Sequence, residues 1–149
     1  MSLIVGVEYC KMDSNGRFKL PVAFLKQLNL ANDNRFYIRR SIYDKYLELF
    51  TYESFQQEVK SLQEKLNPYN PDAKRLYRKY IESNLIELDA ADRLNIPTSL
   101  RKDVSIDKEI VVVGSGDFIE IWDIATYKSL DNDNFDYKSK AKELLGENV

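Results

Sequence analysis

The stretch Asp13-Ser14-Asn15-Gly16-Arg17-Phe18-Lys19-Leu20-Pro21 decides the fold, because the chain contains it twice. The second copy reads Asp89-Ala90-Ala91-Asp92-Arg93-Leu94-Asn95-Ile96-Pro97. Aspartate, arginine, the alternating apolar pair and proline recur at one offset of 76 residues (13 to 89, 21 to 97). In each copy the aspartate opens a tight turn, where its carboxylate can accept from backbone N–H groups just ahead. Asn15-Gly16 supplies residues that tolerate positive φ. The alternation then predicts a half-buried strand: Phe18 and Leu20 oppose Arg17 and Lys19, and Leu94 and Ile96 oppose Arg93 and Asn95. Proline ends the strand and suits the first turn of a helix. Short helices are predicted over about Val22 to Leu28 and Thr98 to Val104.

The repeat continues beyond the proline. Leu47-Glu48-Leu49-Phe50 matches Ile119-Glu120-Ile121-Trp122 at an offset of 72, so the second copy is four residues shorter (76 against 72). The hairpin loops, near Ser41 to Lys45 and at Gly114-Ser115-Gly116-Asp117, are the expected place for the shortening. Thr51 and Asp123 are natural N-caps for the helices that follow. Each half alone is too small to bury a good core, so the two are expected to pair around a shared sheet or barrel.

Between the halves, Phe55, Val59, Leu62 and Leu66 recur at helical spacing. Asn67-Pro68-Tyr69-Asn70-Pro71 breaks this helix, and Asn70 with Pro71 opens another, predicted to reach about Asn84. Its Ala73, Leu76, Tyr77 and Tyr80 form an apolar face opposite Lys74, Arg75, Arg78 and Lys79. The fold class is thus α+β and rich in strand. The expected divisions are a first half at 1–55, a helical hairpin at 56–84, a second half at 85–130 and a loosely ordered polar tail at 131–149.

Composition narrows the function. The chain has 149 residues, 44% hydrophobic and 12% aromatic, enough for a core. No stretch is long and apolar enough to span a membrane, and the N-terminus does not read as a signal peptide. With one cysteine, Cys10, an internal disulfide and a four-cysteine zinc site are excluded. These features point to the cytosol. The absence of histidine removes Ser-His-Asp and Cys-His catalysis and most transition-metal sites. Carboxylate or lysine chemistry stays formally open, but no nucleophile–base pair can be assembled, so no enzyme and no cofactor is expected. Gly114-Ser115-Gly116 lies between two strands and lacks the third glycine of a dinucleotide loop, so it reads as a hairpin turn. The net charge of −2 counts mildly against nucleic-acid binding, but the clustering of Lys and Arg matters more.

Two D-x-x-x-R motifs about half a chain apart, each followed by a strand, a proline and a short helix, resemble the MraZ family within the AbrB-like swapped-hairpin superfamily. Asp13 to Leu28, Leu47 to Phe55 and Asn84 to Trp122 carry the resemblance. It implies two AbrB-like swapped-hairpin halves forming a pseudo-twofold β-barrel, with the helical hairpin between them. It implies a transcriptional regulator of the division and cell-wall gene cluster that is cytoplasmic and nucleoid-associated. Its partners would be double-stranded DNA, bound at direct repeats upstream of its own operon, and further copies of itself in a ring-like homo-oligomer.

The DNA-binding residues so implied are the motif regions, Asp13 to Arg17 and Asp89 to Arg93. Candidate contacts are Asn15, Arg17, Lys19, Lys26, Arg93, Asn95, Arg101 and Lys102, with Asp13 and Asp89 as turn braces. Arg17 and Arg93 have two readings: they reach phosphates or guanine edges, or they pair with their own aspartates and only brace the turn. The chain departs from the family pattern at Ala23 and Leu25, where arginines are frequent, and at Asp92, where glycine is usual. These departures and the acidic balance motivate the alternative function, an oligomeric interaction scaffold with reduced or lost DNA binding.

Overall fold

In the computed structural model, which describes residues 3–146, eight strands and six α-helices follow the doubled sequence plan. The first half contains β1 (Ile4–Lys11), β2 (Arg17–Lys19), α1 (Val22–Gln27), β3 (Arg35–Arg40) and β4 (Leu47–Thr51). The helices α2 (Tyr52–Lys65) and α3 (Pro71–Ile81) follow. The second half contains β5 (Asn84–Glu87), β6 (Arg93–Asn95), α4 (Thr98–Asp103), β7 (Glu109–Gly116) and β8 (Ile119–Asp123). After it come α5 (Ile124–Ser129), a 3-10 turn and α6 (Tyr137–Leu145).

The caps explain the helix starts. Thr51 accepts from the Ser54 N–H at 3.1 Å, Asn70 from Asp72 and Ala73 at 2.9 and 3.2 Å, and Asp123 from Ala125 at 3.0 Å. Helix α3 stops at Ile81, short of the expected Asn84, because Asn84 opens a strand that pairs with β3. The polar segment after Asp131 carries α6, whose start Asp136 caps at the Ser139 N–H. No side chain of α6 is buried, so the helix stands on local capping and propensity.

The two halves interlock through their opening strands. All strands but two form one antiparallel sheet in the order β1-β7-β8-β4-β3-β5, and β2 pairs with β6 as a separate ribbon. Thus β1 of the first half lies on β7 of the second, and β5 of the second lies on β3 of the first. The registers are equivalent: Cys10 faces Ile110 just as its counterpart Ile86 faces Phe36, and Lys11 faces Glu109 as Glu87 faces Arg35. No closed barrel forms among the described residues. Strands β1 and β5 remain as edges at opposite ends, because β2 and β6 pair with each other instead of joining them. Gln27 covers part of the β1 edge, its side-chain amide donating to the Val5 carbonyl and accepting from the Val5 N–H, both at 2.9 Å.

The register also locates the four missing residues. Phe36 and Ile110 each face the last residue of the next strand, Thr51 and Asp123. The offset is therefore 74 at β3 and 72 at β4 (36 to 110, 51 to 123). Two residues are lost in the β3–β4 turn, as expected of a hairpin loop. The other two are lost between α1 and β3, where a connection on the surface tolerates deletion.

One core serves both halves. Phe18, Leu20, Leu94 and Ile96 point inward from the ribbon onto Phe36, Ile38, Leu47 and Leu49 of one half and Ile110, Val112, Ile119 and Ile121 of the other. All are essentially inaccessible. Cys10 packs at the margin of this core, where burial pushes its thiol up to about 11, so it stays protonated. A smaller cluster of Tyr46, Val111 and Trp122 covers the opposite face. Gly114 is required where β1 crosses β7, since a Cβ there would lie 2.7 Å from the Val5 backbone.

The helical hairpin is anchored by a buried arginine that sequence reading did not single out. Arg39, 4% exposed, donates to Glu48 at 2.7 Å, to Glu58 on α2 at 2.6 Å and to the Tyr80 carbonyl on α3 at 2.8 Å. Its guanidinium also stacks over Phe50 and Tyr80. Removing one member of such a network strands a buried charge on Glu48. Arg39→Ala is expected to lower stability by about 3–5 kcal/mol in urea unfolding. A loss below about 1 kcal/mol would show that the hairpin is held by other contacts.

Candidate nucleic-acid interface

Both D-x-x-x-R units fold as their spacing predicts, and they do so almost identically. Asp13 Oδ1 accepts from the Asn15 and Arg17 N–H groups, each at 2.9 Å, and Arg17 Nε donates to Asp13 Oδ2 at 3.1 Å. Asp89 Oδ1 accepts from Ala91 and Arg93 N–H groups at 2.9 Å, and Arg93 Nε donates to Asp89 Oδ2 at 3.0 Å. Each arginine therefore braces its turn through Nε, while its two Nη groups have no hydrogen-bond partner among the described residues. The two sequence readings of these arginines are compatible: one edge of the guanidinium braces, and the other faces solvent.

The units are also bonded to each other. The Gly16 carbonyl accepts from Ile96 N–H at 2.8 Å, and the Asp92 carbonyl accepts from Leu20 N–H at 2.9 Å. Between these two bonds the ribbon aligns Arg17 with Asn95, Phe18 with Leu94 and Lys19 with Arg93. Phe18 and Leu94 face the core, so Arg17, Lys19, Arg93 and Asn95 share the outer face. Lys19 and Asn95 are exposed, and Arg17 and Arg93 are half-exposed.

Arg101 joins this group from α4. It donates to the Ile96 carbonyl at 3.1 Å and to Thr98 Oγ1 at 2.9 Å, and its guanidinium covers Gly16. A Cβ on Gly16 would lie 2.6 Å from Arg101 Nε, and Gly16 has φ +84°. At the equivalent position in the other half, Asp92 takes φ +60° with a full side chain, and Leu25 packs on the core where Arg101 would stand. Asn15 sits exposed in the first turn, at the position equivalent to Ala91 of the second. Lys26 and Lys102 are equivalent (an offset of 76) and exposed in the last turns of α1 and α4. They suit the negative ends of those helices, and no hydrogen bond ties them to the ribbon.

Sequence reasoning missed the packing of Arg101 on Gly16 and the two carbonyl bonds that join the turns. The offset of 76 shows that the copies are equivalent but not that their strands run antiparallel against each other, which is what brings each turn to the strand end of the other copy. The basic run of α3, Lys74 to Lys79, lies on the helical hairpin, a separate element from the ribbon.

Residues 80–147, which include the second unit, match a family model described as "MraZ protein, putative antitoxin-like". A Transcriptional regulator MraZ of Flavobacterium psychrophilum is 34% identical over 148 residues, covering 98% of this chain and 94% of that protein. The chain belongs to the MraZ family. Two further proteins of the same name, from Christiangramia forsetii and Mycoplasmoides gallisepticum, are each 30% identical over 145 residues. They cover 96% of this chain and 93% and 97% of their own lengths, so the MraZ relationship spans both units.

Two outcomes follow from the turn geometry. Gly16→Ala is expected to cost about 1–2 kcal/mol or more, since it adds a Cβ at positive φ against a guanidinium. Asp92→Gly is expected to gain up to about 1 kcal/mol by releasing the same backbone conformation from its side-chain penalty. Thermal unfolding of both variants checks the pair, and shifts of equal sign would contradict it.

The aspartate braces also set an acid limit. Backbone N–H donation from Arg17 and Arg93, followed by the other N–H and the guanidinium, holds the Asp13 and Asp89 carboxyls below the usual carboxylate range. A lowered folded-state pKa stabilises above the ordinary value, about 3.9 for aspartate, and that contribution is lost as pH falls through the lowered value. Melting temperature below about pH 4 should therefore fall more steeply for the native chain than for an Asp13→Asn/Asp89→Asn double variant. Parallel curves would mean that the braces do not contribute to acid sensitivity.

Proposed function

We propose that this protein is a sequence-specific DNA-binding transcription regulator of the division and cell-wall gene cluster, acting at repeated sites upstream of its own operon. The observation that carries the reading is the outer face of the ribbon, where Arg17, Lys19, Arg93 and Asn95 stand together on a two-stranded element. Short ribbons of this kind can enter a DNA groove, and arginine Nη groups can bond phosphates or the paired acceptors of guanine. The names of the three relatives support a regulatory role. Assembly into a ring-like homo-oligomer would let weak single-chain contacts act together on repeated sites. The absence of histidine and of a nucleophile–base pair supports a non-enzymatic role, and the site of action would be the nucleoid in the cytoplasm.

A second reading, the interaction scaffold with reduced or lost DNA binding, is favoured by the Asp92 carboxylate next to Arg93 and by the apolar Val5, Val7 and Tyr9 exposed on β1. Gel-shift titrations of duplex DNA from upstream of the protein's own gene separate the two. Arg17→Ala is expected to weaken binding about tenfold or more, with native affinity falling steeply as salt is raised. Native affinity in the variant would remove Arg17 from the interface, and no affinity in the native chain would favour the scaffold.

A further inference from the structure

The pseudo-dyad through the ribbon relates Arg17 to Arg93, but it does not relate their surroundings. One arm of the outer face combines Asn15, Arg17, Asn95 and Arg101, against the single carboxylate of Asp13. The other combines Lys19 and Arg93 with the carboxylates of Asp89 and Asp92. The first arm has two cations to one anion, and the second has two to two. The first also carries two side-chain amides, at positions where the second has Ala91 and Lys19. The turn bonds of the two arms have the same partners and nearly the same lengths, the widest difference being 3.1 against 3.0 Å, so the main contrast is chemical.

We infer that the arm built from Asn15, Arg17, Asn95 and Arg101 reads bases, while the Lys19–Arg93 arm holds the DNA backbone. This rests on the DNA-binding reading above and assigns its two halves different work. An amide can donate to and accept from an adenine edge at once, and a braced guanidinium presents paired donors to guanine. Both demand fixed geometry. Asn95 emerges from a strand held by the Ile96 N–H to Gly16 carbonyl bond, next to a Gly16 turn that Arg101 packs against. Lys19 is a flexible point charge with no hydrogen bond or ion pair among the described residues, which suits a phosphate and carries no sequence information.

Lys19 and Asn95 are counterparts (an offset of 76), both exposed, and neither side chain bonds to the rest of the described protein. Truncating each is therefore a matched test that leaves the fold intact, which a thermal melt verifies. Selection of bound duplexes from a randomised pool defines a preferred sequence, and anisotropy then compares that duplex with an unrelated one. Asn95→Ala is expected to weaken the preferred duplex about tenfold and leave the unrelated duplex unchanged. Lys19→Ala is expected to weaken both by one common, smaller factor and to reduce the salt slope by about 1. Equal loss of discrimination in the two variants, or loss in Lys19→Ala alone, would overturn the assignment. Failure of the native chain to enrich any duplex would overturn the DNA-binding reading itself, and the assignment with it.

Discussion

The structure depends on a shortage of apolar area. Neither half has enough inward-facing side chains to close a core, and each turn-and-strand unit presents only two, Phe18 with Leu20 or Leu94 with Ile96. The shortage is met by exchange: β1 leaves its own half to pair with β7, and β5 does the same with β3. This brings β2 and β6 side by side above a single core. Everything on the outer face follows from that adjacency. Arg17 lies opposite Asn95, and Lys19 opposite Arg93, only because the two copies of the repeat are folded into each other.

Much of this was legible in the sequence because the repeat is written in residues whose physics is local. Aspartate to turn, alternation to strand, proline to helix start, and threonine, asparagine or aspartate to cap are short-range relations. The turn bonds, the short helices and the three caps appear where those residues stand. The strand order and the open sheet were not legible in the residues, because they depend on which distant edge a strand meets. The barrel expectation failed at this point: closure needs the β1 and β5 edges to be joined, whereas β2 and β6 pair with each other and leave both edges open. Arg39 was hidden for a related reason. Its acceptors lie on β4, α2 and the end of α3, and no spacing rule links them.

The same distinction applies to the outer face of the ribbon. The residues on it were readable from the doubled motif, and so was the chemical contrast between Gly16 and Asp92. How they group was not. Arg101 belongs with the motif 85 residues before it (16 to 101), and Lys19 with the motif that follows it much later. A motif counted along the chain is therefore not the spatial unit. Each arm of the surface is composed from both halves.

The pairing of Ile4 with Gly116 also has a meaning in time. During synthesis β1 leaves the ribosome more than a hundred residues ahead of the partner that covers it (4 to 116). At about 5–20 residues per second, the strand waits roughly 5–20 seconds unpaired. Its Val5, Val7 and Tyr9 are apolar, and its hydrogen-bonding edge has nothing to join. The nearby Gln27 is made almost at once, and its amide already matches the Val5 N–H and carbonyl. The same bond that shields the outer edge of β1 in the finished protein is thus available early, while the inner edge stays open until the second half arrives.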